Sequence, residues 1–104
     1  MSYHITHLWG DMDDEPPLDS LSALYDELEH DDGEHTSVSL THDSEWDLNA
    51  YSDGSLVWEN LEAKVREPRH MEGVPKEKVL ELWRELAHGK IDEINQEPWL
   101  PGYG

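Results

Sequence analysis

Seven His residues stand among 25 Asp and Glu residues in a chain of 104, and that mixture is the raw material of a metal site. The densest cluster is His30-Asp31-Asp32-Gly33-Glu34-His35, with His4 and His7 as a second pair. Zinc needs about four converging ligands, usually announced by paired spacings such as His-Glu-x-x-His, and the chain contains no such pairing. Asp11, Asp13 and Glu15 open like a calcium loop, but Pro16 takes the place of the required glycine and Ser22 that of the closing glutamate. We therefore expect no metal and no cofactor. A metal-dependent enzyme built on His, Asp and Glu ligands is carried as a second alternative.

Other chemistries find less support. There is no cysteine, which removes disulfides, thiol nucleophiles and Cys-zinc sites. Serine and histidine are present without a Gly-x-Ser-x-Gly elbow, and the glycines form no phosphate-cradling pattern. The four lysines lie in hydrophilic contexts unsuited to a general base. Carboxylates are so numerous that any one pair carries no information. The expectation is a protein with no catalytic residues, not an enzyme.

Charge is more telling. The net charge is −18, and residues 1–63 hold 17 carboxylates with no Lys or Arg, whereas residues 64–104 hold 8 carboxylates against 7 basic groups. Such a field repels nucleic acid and anionic lipid and attracts basic protein surfaces. No apolar run approaches the ~20 residues that span a bilayer, and the first seven residues lack the features of a signal peptide. A cytoplasmic protein is expected. High charge with low hydropathy also suits disorder, but the periodic segments argue against it.

Alternation predicts a strand over residues 3–9, followed by a loop at 11–17 containing Pro16 and Pro17. Leu18, Leu21, Leu24, Tyr25 and Leu28 mark a helix at about 18–29, capped by Asp19 or a neighbour. From Ser37 the period becomes two. Val38, Leu40 and His42 face one way, Ser37, Ser39 and Thr41 the other, and Trp46, Leu48 and Ala50 alternate with Asp47, Asn49 and Tyr51. The Asp53-Gly54 turn leads into Leu56–Leu61, which completes a meander at 37–61. Ala63, Val65 and Met71 suggest a further strand broken at Pro68. Val79, Leu82, Trp83 and Leu86 make one face of a helix at 75–88, and Ile91 and Ile94 suggest another helical turn. The fold class is α+β, a three- to five-stranded mainly antiparallel sheet packed against the helices. The expected organisation is one domain over 1–104, with residues 1–15 partly mobile and a 97–104 tail packed on the body. Trp46, Trp58 and Trp83 are core candidates. Trp9 and Trp99 could instead anchor a partner, and Arg66, Arg69 and His70 form a small basic spot.

Three stretches carry a family likeness: Leu56-Val-Trp-Glu-Asn at the end of the meander, the helix entry from Gly73 through Val74-Pro75 to Trp83, and the Glu97-Pro-Trp-Leu-Pro-Gly tail. With Leu18, Leu21 and Leu28, they make the chain resemble, over residues 18–102, small α+β immunity proteins encoded beside bacterial polymorphic toxins. That group is often paired with nucleic-acid deaminase toxins. The resemblance implies no catalytic residue, because such proteins act by binding, and it implies a cognate toxin domain as partner. Occlusion of the toxin's basic surface would then fall to Asp11, Asp13, Asp14, Glu15, Asp31, Asp32 and Glu34, with the strand-exposed Asp43, Glu45, Asp47 and Asp53. The alternative is an acidic interaction module for a basic host protein, with no direct nucleic acid or membrane contact.

Overall fold

The computed structural model describes residues 2–62 and 67–103. Seven strands form one antiparallel sheet: β1 (Tyr3–Thr6), β2 (Met12–Asp14), β3 (Ser37–His42), β4 (Trp46–Tyr51), β5 (Leu56–Asn60), β6 (Arg69–Met71) and β7 (Leu100–Pro101). Their spatial order is β2-β1-β3-β4-β5-β6-β7. Three α-helices, α1 (Leu21–Asp26), α2 (Lys76–Ala87) and α3 (Ile91–Asn95), contribute to one hydrophobic cluster with the inward side chains of the sheet.

The α+β class and the meander agree with the alternation. The expected sheet of three to five strands is too small, because β2 and β7 extend it at both edges. β2 has three exposed side chains, so no apolar alternation announces it; it is held by backbone pairing of Ile5 with Asp13 and its neighbours. β7 is two residues of the proline-flanked tail, paired through His70 and Leu100. Met71 lies in β6 as expected, while Ala63, Val65 and Arg66 lie outside the described residues. β1 ends at Thr6 rather than residue 9, where a turn is closed by Gly10, whose φ of +97° suits glycine.

The helix expected at 18–29 is continuous only as a path. A 3₁₀ turn at Leu18–Ser20 leads into the six residues of α1, and a second 3₁₀ turn covers Glu27–His30. Pro17 fixes the entry, and no side-chain cap forms at Asp19 or Ser20, whose hydroxyl donates back to the Pro17 carbonyl. α2 matches its prediction closely. Pro75 precedes it, and Gly89 ends it with φ +74°, the Gly89 N–H donating to Leu86 and the Lys90 N–H to Glu85. Those two bonds satisfy carbonyls that the helix end would leave open.

The inward face of the sheet forms the core. Ile5, Leu40, Leu48 and Trp58 stand in one row across β1, β3, β4 and β5, and Val38, Ala50 and Leu56 in the next. Against them lie Leu21 and Leu24 of α1, Val79, Leu82, Trp83 and Leu86 of α2, and Ile94 of α3. Trp46, Trp58 and Trp99 stack in series, with ring centroids 4.5 and 6.2 Å apart. Both the Trp58 indole N–H and the Arg69 guanidinium donate to the Asn95 side-chain oxygen, at 2.9 and 2.6 Å. The Trp99 indole donates to the Ile94 carbonyl at 2.7 Å, which ties the tail to α3.

Candidate functional site

Because side chains alternate along a strand, the residues that do not face the helices share the opposite face. One row there runs across all seven strands as Met12, Thr6, Ser39, Asn49, Val57, His70 and Leu100. A second runs Asp14, His4, Thr41, Asp47 and Glu59. Val57 is buried yet stands apart from the core cluster. This face is polar and acidic at its centre, with apolar side chains at its edges.

Asp47 is the most constrained group on it. Expected to be strand-exposed, it is instead only 4% exposed. Neighbours on two strands close over it: Thr41 Oγ1, directly opposite on β3, donates to one carboxylate oxygen at 2.6 Å, and the amide of Asn49, two residues along β4, donates to the other. Burial pushes its pKa up to about 6, the Thr41 bond opposes that rise and the nearby Glu59 adds to it. Alternation correctly assigned Asp47 to the non-core face, but a central strand leaves little of that face open to water.

Beside it, Tyr51, Asp53, Ser55, Val57 and Tyr103 line a depression of about 380 Å³. The Tyr103 hydroxyl donates to Glu59 Oε2 at 2.8 Å, reaching from beyond β7 over β6 to β5. Burial and then Glu59, Asp47 and Asp53 raise the Tyr51 pKa. Neither tyrosine, nor Glu59, was legible as a site residue. Strand parity puts Glu59 and Tyr51 with Asp47, whereas Tyr103 is brought in only by the pairing of β7.

At the β1–β2 end, Asp14, Glu15 and Asp43 do converge, lining a second depression with Ser2, Tyr3 and His4. Glu45 is half-buried in the turn before β4, at φ +70°. Three other carboxylates build their own loops. Asp31 accepts from the Gly33 N–H and the Ser52 hydroxyl, Asp53 from the Ser55 N–H and hydroxyl, and Asp32 from the Glu34 and His35 N–H groups. These bonds lower the pKa of each, that of Asp32 to about 2 through the His35 contacts first. Exposed Glu34 follows in the same loop. The His30–His35 stretch is thus organised as turns, and among the described residues no three His, Asp or Glu side chains converge as metal ligands.

His7 closes a clamp between segments. Its Nδ1 lies 2.7 Å from Glu27 Oε2 and its Nε2 lies 2.6 Å from Asp13 Oδ2, while Glu27 Oε1 accepts the Leu8 N–H at 3.0 Å. Only the imidazolium has two N–H donors for two carboxylates. The Asp13 bond raises the His7 pKa most, with burial opposing, and Glu27 and Asp11 add to the rise. A raised histidine stabilises the fold fully below about pH 6.5 and loses that contribution as pH rises through the folded-state value. His7→Gln should therefore cost about 1.5 kcal/mol near pH 6 and little at high pH. Thermal melts across pH check this; a cost that is constant with pH would contradict the clamp.

Trp9 is exposed, its ring edge-on to His35 at 5.1 Å, whereas Trp99 is packed on the body. Arg69 and His70, adjacent in β6, point to opposite faces, which disperses the basic spot: Arg69 reaches Asn95 and His70 Nδ1 bonds the Gly102 carbonyl at 3.0 Å. No described helix is long and apolar enough to cross a membrane. Compared with protein-family models, curated proteins and solved structures, the chain has no match.

Proposed function

We propose that this chain is a non-enzymatic acidic binding protein that neutralises a nucleic-acid-processing toxin by covering its basic surface. The observation that carries the reading is the charge asymmetry, 17 carboxylates without a Lys or Arg over residues 1–63. Those residues include β1 to β5, so the acidic part is also most of the sheet. A toxin that grips nucleic acid needs cationic side chains for phosphates, and such a surface is what this field attracts. Steering of this kind speeds association roughly ten- to thousandfold and fades with salt.

The test is calorimetry and stopped-flow binding against the product of the adjacent gene. Tight association at low salt, slowed at least tenfold at high salt, is the expected result. No binding at low salt would overturn the toxin reading, and capture of a basic host protein by the same surface would replace it with a general acidic interaction module.

A further inference from the structure

We infer that the basic partner docks on the helix-free face of the sheet, with one of its arginine side chains entering the depression walled by Tyr51 and Tyr103. The inference rests on the acidic-binding reading and adds where the contact is made. The three described α-helices pack on the other face. On this one Ser39, Thr41, Asp47, Val57 and His70 are already closed over by their neighbours, so contact with a partner falls to the exposed side chains around them. Seven strands at about 4.8 Å spacing make it ~29 Å wide, the scale of a patch that contributes about 800 Å² to an interface.

Its composition is that of a docking surface. Of the five large apolar side chains exposed among the described residues, Met12, Leu100 and Tyr103 belong to this face. Aromatic and methionine contacts of this kind supply interface contact area. The depression has Val57 in its lining, 2% exposed, two phenol rings, and the Asp53 and Glu59 carboxylates at hand. Among the described residues neither Asp53 nor Glu59 forms an ion pair with Lys or Arg. A planar guanidinium suits the place because it stacks on aromatic faces while donating to a carboxylate. The volume, about 380 Å³, accommodates an arginine side chain with its accompanying water.

The probe is a short capped Gly-Arg repeat peptide, titrated into the full chain and followed by backbone NMR shifts, with a Gly-Gln repeat as control. The expected result is that arginine-dependent shifts centre on Tyr51, Asp53, Val57, Glu59 and Tyr103. Shifts centred on Asp11–Glu15, or spread evenly over the acidic loops, would overturn the inference. Tyr103 is 64% exposed near the end of the chain, so Tyr103→Ala leaves the core intact. It should weaken the peptide, and the adjacent gene product if that binds, by about fivefold. Glu77→Gln, a surface change on α2, should leave both nearly unaffected. If the gene product binds but both variants behave alike, the docking face is wrong and the proposed function stands. If the peptide maps to the tyrosines and the gene product fails to bind, the pocket stands and the toxin reading falls.

Discussion

Trp83→Ala should lower the free energy of unfolding by ~3–5 kcal/mol, the range for a large aromatic removed from a core. Trp83 is 0% exposed and joins α2 to the sheet, its indole N–H donating to the Leu48 carbonyl at 3.0 Å. Tyr25 of α1 meets it edge-on, ring centroids 6.4 Å apart. The substitution thus opens a void at the meeting point of two helices and β4. A domain of this size holds about 5–15 kcal/mol in total, so the variant would be marginal. Urea unfolding checks the value. Trp83→Phe separates the two contributions, since it keeps most of the volume and loses the hydrogen bond, and it should cost about 1–2 kcal/mol. A Trp83→Ala cost under about 1 kcal/mol would mean that the α2 stripe does not hold the sheet.

Asp47→Asn should stabilise the protein by about 2 kcal/mol near pH 7.5 and have almost no effect near pH 4. The sign follows from burial. Asp47 is 4% exposed and its pKa is pushed up to about 6 from 3.8, so ionising it costs the folded state more than the unfolded one. The wild-type protein holds the proton more tightly when folded, and this group's contribution to stability falls as pH rises from about 4 to about 6 and is flat beyond. A rise of that size corresponds to roughly 3 kcal/mol, reduced because the Asn49 amide must turn over to meet a new amide. Asparagine still accepts the Thr41 hydroxyl. Paired denaturation curves at several pH values decide the matter: a variant less stable than wild type near pH 7.5 would show that the ionised carboxylate is well solvated. A carboxylate held at such a cost in the middle of the proposed docking face fits a trade of stability for binding.

Residue patterning marks an element where side-chain packing repeats along the chain. The stripe of Val79, Leu82, Trp83 and Leu86 and the alternation from Ser37 to Leu56 record one apolar, core-facing side each, and both elements are observed. It carries no mark of pairing that the backbone makes alone. β2 and β7 present exposed side chains to solvent, so nothing in residue type marks them as strands. Leu18 to Leu28 has helical periodicity, yet its α-helix covers only Leu21–Asp26 between two 3₁₀ turns, and Glu27 is engaged by His7 and the Leu8 N–H. Periodicity reports which side is buried, not which hydrogen-bond step the backbone takes.

For the candidate site the division is sharper. By itself the sequence determined the acidic character, its confinement to residues 1–63, and the assignment of Asp47, Asn49 and Tyr51 to the non-core side of one strand, because charge and parity are properties of the chain. Only the tertiary structure decided that Asp47 is buried, that His7 bridges Asp13 and Glu27, and that Tyr103 meets Glu59 beside Tyr51. Each of these depends on strand order and on segments far apart in the chain. Burial on an open sheet face is set by what the neighbouring strands place alongside, and a residue's own type and spacing carry no record of that.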